Sequence, residues 1–383
     1  MKRKKLGFLV NPIAGMGGRV GLKGTDGKEI LKEAIALGAQ PWAGERAKEA
    51  LKPLLRIKDD IELITYPAPM GKDIASGCGF VPEIIETELG NVTTGEDTKQ
   101  AAEAMLDSRV DLLIFAGGDG TARDICRAVG TSVVCLGIPA GVKIHSGVFA
   151  SHPVRAGELA ALFLQKSVQR TREAEVMDVD EDELRKEIVS ARLFGYLRIP
   201  HVERFLQRTK AGSTGNEKFS QEAIAAEVVG DMSDEFYYLV GPGTTTGAIM
   251  KRLGLDYSLL GVDLVWRGDL LAKDLNEMQI LERIEGKPTK LILTPIGGQG
   301  FLLGRGNQQI SPQVLKHIGR DNIIVAATKQ KIHSLRGRPL LVDTGDEEAD
   351  RALEGYYRIV TGFREAIIYK MGTSHEVPPY IAK

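Results

Sequence analysis

Residues 110–129 read VDLLIFAGGDGTARDICRAV, and the order of their parts decides what the first half of the chain becomes. Leu112–Ala116 is an unbroken apolar run of strand length, as expected for a strand covered on both faces. It runs directly into Gly117-Gly118-Asp119-Gly120-Thr121, and Ala122–Val129 then takes up helical spacing. Glycines admit positive φ and bring backbone N–H groups close to a phosphate, and a helix N-terminus adds positive potential. An aspartate is ill suited to plain anion binding at such a place. Asp119 fits a group that takes a proton from an attacking hydroxyl, or one that helps to hold Mg²⁺. The plainer reading, a strand-to-helix turn capped by Asp119, accounts for one glycine and the carboxylate but not for the whole GGDGT.

Outward from this stretch, Leu6–Val10, Ile61–Tyr66 and Ser132–Ile138 are further strand-length runs. Asp97–Arg109 has helical spacing, with Thr94 or Asp97 as its cap, and Pro153–Ser167 is a helix with proline at its start. The alternation predicts an α/β domain with a parallel sheet. The segment VNPIAGMGG (10–18) leaves the first strand, so Asn11 and the glycines after it should face the same crevice as Asp119. Neither G-x-G-x-x-G nor G-x-x-x-x-G-K-[ST] occurs, which excludes the usual dinucleotide fingerprint and the P-loop. Beyond Pro139-Ala140-Gly141, Lys143 is placed to neutralise a phosphate and Ser146 to bond one; His145 reads as a structural histidine.

Residues 173–188 are strongly acidic and read as a strand and a solvated connector, and Lys210–Lys218 as a polar loop before a helix at Gln221–Val229. In GPGTTTG (241–247), Gly243, Thr244, Thr245 and Thr246 stand at an expected helix start. Capping explains one threonine, and phosphate or ribose binding would explain the others. Gly298, Gln299 and Gly300 open a glycine- and amide-rich stretch in which Arg305 offers a fork for phosphate or carboxylate; a tight hairpin is the alternative. The expected division is 1–165, 166–345 and a C-terminal segment 346–383.

The chain has 383 residues, 43% hydrophobic and 26% charged, which is a globular balance and enough for two cores. Lys and Arg number 50 against 51 Asp and Glu, so charge points to no nucleic-acid partner. The basic start is followed by only Leu6–Val10 before Asn11-Pro12, too short for a signal peptide, and no run approaches the about 18 apolar residues of a membrane span. Cys78, Cys126 and Cys135 lack metal-type spacing and suit a reducing compartment. The expectation is a cytoplasmic protein with small-molecule nucleotides as partners and no membrane, homo-oligomerisation being left open.

Taken together, Asn11-Pro12, Gly117–Thr121, Gly137–Ala150, Gly241–Thr246 and Gly297–Gln309 resemble the ATP-NAD kinase superfamily, in particular its AcoX-related branch. The resemblance implies a Rossmann-like N-terminal parallel-sheet domain, a strand-rich mixed C-terminal domain, an active site between them, and a chain end that returns to the first domain. It implies phosphoryl transfer from ATP to the adenosine-ribose 2′-hydroxyl of NAD, giving NADP, with Mg²⁺ or another divalent cation. Asp119 would be the general base, Gly117, Gly118, Gly120 and Thr121 the phosphate loop, and Pro242–Thr246 the dinucleotide-contacting turn. Metal ligands are not assigned. One family feature is displaced: the Asn-Glu pair expected before the threonine turn occurs here only after it, as Asn276-Glu277. A kinase of the same fold acting on another small-molecule or lipid hydroxyl, or a non-catalytic nucleotide-binding regulator, are the alternatives.

Overall fold

The computed structural model describes residues 3–22, 28–90, 92–142, 144–179, 191–202, 205–206, 215–296 and 299–373. It divides into two compact units, Met1–Gly17 with Gly24–Thr209, and Gly18–Lys23 with Lys210–Lys383.

The first unit runs β1 (Lys4–Val10), α1 (Lys28–Ala36), α2 (Ala43–Leu51), β2 (Ile61–Thr65), α3 (Lys72–Gly77), β3 (Glu83–Ile84), α4 (Gly95–Asp107), β4 (Leu112–Gly117), α5 (Asp119–Val129), β5 (Cys135–Pro139) and α6 (Pro153–Leu164). A hairpin of β6 (Thr171–Val179) and β7 (Ala191–Pro200) follows. The strands β3-β2-β1-β4-β5 form a sheet in that order, and every pairing is parallel. Its middle strands are buried throughout Leu6–Val10 and Leu112–Gly117, so their sequences read as continuous apolar runs and not as alternations. Helix α4 starts where Asp97 accepts the N–H of Thr94 at 2.7 Å, so both expected caps act together. Pro153 opens α6, and His152 Nδ1 accepts the Val154 N–H before it.

The first unit continues past residue 165, because the β6–β7 hairpin is packed into its core. Ala174, Val176, Leu197 and Ile199 are fully buried there, and the Gly147 N–H donates to the Glu175 carbonyl at 2.8 Å. Most of the acidic stretch after β6 lies outside the described residues, as do residues 210–214 of the expected polar loop. The rest of that loop, from Gly215, is helical.

The second unit contains α7 (Gly215–Gly230), β8 (Tyr237–Val240), α8 (Thr244–Arg252), β9 (Asp263–Trp266), β10 (Asp269–Ala272), α9 (Glu277–Ile284), β11 (Thr289–Leu293), β12 (Phe301–Leu303), α10 (Pro312–Ile318), β13 (Ile323–Ala326), α11 (Lys329–Ser334), β14 (Leu340–Val342), α12 (Glu347–Ala352), β15 (Gly355–Gly362) and β16 (Glu365–Thr373). Its sheet has the order β10-β9-β8-β11-β13-β15-β16-β14-β12. β8, β11, β13 and β15 are parallel neighbours, β9 and β10 extend one side antiparallel, and β16 turns back against β15. The result is a strand-rich mixed sheet. Residues 355–373, read as part of a tail returning to the first domain, are interior strands of this sheet, because β16 pairs with both β15 and β14. The early segment 18–22 also belongs here: the Glu277 N–H donates to the Arg19 carbonyl at 3.2 Å, and Gly18 packs on Gln308.

Candidate active site

In the first unit the polar residues gather where β4 and β5 end. Gly117 closes β4, Gly118 is the N-cap of α5, and Asp119, Gly120 and Thr121 form the helix's first turn. Asp119 is buried and its carboxylate is clamped by two backbone amides. Oδ2 accepts the His145 N–H at 2.7 Å, and Oδ1 accepts the Ser146 N–H at 3.0 Å. His145 Nδ1 lies 3.3 Å from the same Oδ2, and its Nε2 is buried with no hydrogen-bond partner among the described residues. Ser146 is fully buried, and its hydroxyl accepts the Met177 N–H at 2.9 Å, which ties the loop to the hairpin.

The loop after β5 is pressed against the glycine loop. The N–H groups of Ala140 and Gly141 both donate to the Gly117 carbonyl at 3.0 Å. A Cβ on Gly141 would lie 2.7 Å from the Cα of Gly118, so this approach of two backbones requires glycine. Asn11 joins the group from the end of β1: its Nδ2 donates to Thr121 Oγ1 at 2.9 Å, and its Oδ1 accepts the Ile13 N–H. Asn11, Gly117, Gly118, Asp119, Gly120, Thr121 and Ser146 therefore come together around one loop. Lys143 lies outside the described residues.

In the second unit Gly243, at φ 131°, is the N-cap of α8. The three threonines after it take different partners. Thr246 donates to the Gly243 carbonyl at 2.9 Å, Thr244 accepts from Gln221 Nε2 at 3.1 Å, and Thr245 accepts from Lys331 Nζ at 3.1 Å. Lys331 also donates to Thr294 Oγ1 at 2.9 Å. Gly298 lies outside the described residues, while Gly300 holds φ 82° in the turn before β12. Arg305 is buried; its guanidinium donates to Asp343 Oδ2 at 3.1 Å and stacks over Phe301. The arginine fork is thus turned inward to a carboxylate, and the stretch is not the hairpin alternative either, because β12 pairs in parallel with β14. Asn276 is the N-cap of α9 in a capping box with Gln279, which accounts for the displaced Asn-Glu pair.

The sequence reading passed over Lys331 and Thr294. Its one available signal was that Thr294 directly follows the end of an apolar strand-length run. His145 was read as structural, and its buried, unsatisfied Nε2 beside Asp119 is not visible in the sequence. Among the described residues no three His, Cys, Asp or Glu side chains gather as a metal site. Among them, too, no helix is long and apolar enough to cross a membrane.

Residues 6–168 match the model of the ATP-NAD kinase N-terminal domain, and residues 233–371 match that of the ATP-NAD kinase C-terminal domain. Two such halves in this order define a kinase-type phosphotransferase. The chain belongs to the ATP-NAD kinase superfamily. No curated protein matches it. Among solved structures, one described as "A putative diacylglycerol kinase from Bacillus anthracis str. Sterne" aligns at 18% identity and a TM-score of 0.24, over 45% of this chain and 46% of that one. A second structure of the same description aligns at 17% and 0.24, over 45% and 44%. This chain thus spans under half the length of the solved structures it matches.

Proposed function

We propose that the protein transfers the terminal phosphoryl group of ATP to the 2′-hydroxyl of the adenosine ribose of NAD, giving NADP. The observation that carries this reading is the placing of Asp119. Its carboxylate sits in the first turn of α5, directly after the paired glycines, fixed by the N–H groups of His145 and Ser146. Oδ1, which accepts the Ser146 N–H, keeps a further lone pair, so the carboxylate can still accept the proton of an incoming hydroxyl. As the hydroxyl oxygen bonds to the γ-phosphorus, its proton passes to Asp119 and the bond to the departing ADP breaks. The first turn of α5, whose N–H groups lack intrahelical partners, faces the charge that builds up on the phosphoryl oxygens. Such reactions depend mainly on positioning and electrostatics.

Mg²⁺, or another divalent cation, enters with ATP as part of the substrate. The residues here suit that arrangement: the carboxylate of the loop already receives two N–H bonds, and among the described residues no cluster of three His, Cys, Asp or Glu competes with phosphate and water as ligands. NAD as acceptor rests on the family. Incubation of the purified protein with ATP-Mg²⁺ and a panel of NAD, NADH and small alcohols, read by mass, tests it. NADP is the expected product. A phosphate gained by another alcohol while NAD stays unchanged would replace NAD as the acceptor.

A further inference from the structure

The second unit carries a polar cluster that joins the Gly243–Thr246 turn to residues beyond it, none of them part of the Asp119 loop. Its four parallel neighbours β8, β11, β13 and β15 bring their carboxyl ends to one edge of the sheet. Threonines stand at or beyond each of these ends: Thr244–Thr246 after the turn 241–243 that follows β8, Thr294 directly after β11, Thr328 two residues past β13 and Thr361 next to the end of β15. The carboxyl edge of parallel strands is where α/β sheets receive ligands.

Two of these threonines share a cation. Lys331 Nζ donates to Thr245 Oγ1 at 3.1 Å and to Thr294 Oγ1 at 2.9 Å. An ammonium has only protons to give, so both hydroxyl oxygens serve as acceptors and each keeps its own proton to donate. Thr245 is fully buried and Thr294 nearly so, and neither hydroxyl donates to any described residue. Buried donors of this kind are costly unless something accepts from them. At the same edge, the Thr361 hydroxyl is buried with no hydrogen-bond partner among the described residues. Beside them, Thr328 Oγ1 donates to the carboxylate of Glu217 at 3.3 Å.

We propose that Lys331, Thr245 and Thr294 form an oxyanion site that holds a phosphate-type group of the acceptor. The two hydroxyls donate to the anionic oxygens, and the ammonium behind them supplies the balancing charge. The proposal rests on reading the Gly243–Thr246 turn as part of the acceptor site. It narrows the acceptor class: alcohols that carry a phosphate are taken, and neutral or purely lipid alcohols are not.

Calorimetric titration with inorganic pyrophosphate tests it, with a non-hydrolysable ATP analogue present at saturation to fill the nucleotide loop of the first unit. Wild type should bind. Lys331→Gln and Thr294→Val should each bind about tenfold more weakly or worse, as expected for loss of a charge-assisted bond, and Lys331→Arg should recover part of the loss. Melting curves of each variant show that the folded protein is being titrated. Wild-type protein that does not bind pyrophosphate, or folded Lys331→Gln and Thr294→Val that bind it as wild type does, would overturn the site. The readout needs no turnover, so a failure to phosphorylate NAD leaves it unaffected and a failure here leaves the NAD assay standing.

Discussion

Asp119 illustrates how much one side chain is asked to do. Both of its oxygens face N–H donors, so Asp119→Asn must turn a donor toward either the His145 or the Ser146 amide. We expect turnover to fall by about 10²–10⁴, the usual share of a general base. Stability should fall by about 1–3 kcal/mol for the mismatched pair. Nucleotide affinity, measured well below the melting temperature, should stay near wild type; a mutant of near-normal activity would refute the assignment. Gly141→Ala probes the same loop from the other side. Its methyl would meet the Gly118 backbone, so we expect a lower melting temperature together with a loss of activity, from about 1–3 kcal/mol of overpacking. At this scale the GGDGT residues and Asn11 were legible because they are local in sequence or lie at neighbouring strand ends. Lys331 was not, because its partners Thr245 and Thr294 are 86 and 37 residues away. Arg305 has the right chemistry for a phosphate, but sequence alone gives no sign that Asp343 occupies it.

At the scale of elements, strands and caps followed the rules of local chemistry closely. The buried runs of β1 and β4 and the capped start of α4 were each foreseen within two or three residues. The β6–β7 hairpin was harder. Its acidic residues hid the alternation that buries Ala174 and Val176, so the stretch read as a strand and a solvated connector and its place in the core went unseen. Helix α9 offers a clean test of a role. The Asn-Glu pair of the wider family is expected to serve the substrate, whereas Asn276 here closes a capping box on Gln279. Asn276→Ala should therefore cost about 1 kcal/mol, a drop in melting temperature of about 2–4 °C, with kcat unchanged. A large fall in kcat at unchanged stability would return Asn276 to the site.

On the scale of the whole molecule, the two units have separate hydrophobic cores, one in the first unit and two on the mixed sheet of the second. Separate cores predict more than one cooperative transition. Scanning calorimetry should give a calorimetric enthalpy larger than the van't Hoff value, and a ratio of one would show a single cooperative block. The units are not two consecutive stretches of chain, since residues 18–23 cross early into the second unit and anchor beside α9. Synthesis on the ribosome runs from the N-terminus. A strip of the second unit thus leaves the exit tunnel long before Glu277 and Gln308, the residues it meets. The second unit is therefore not assembled from residues 210–383 alone; that joint closes only when the stretch carrying Glu277 and Gln308 meets a segment made before most of the first unit.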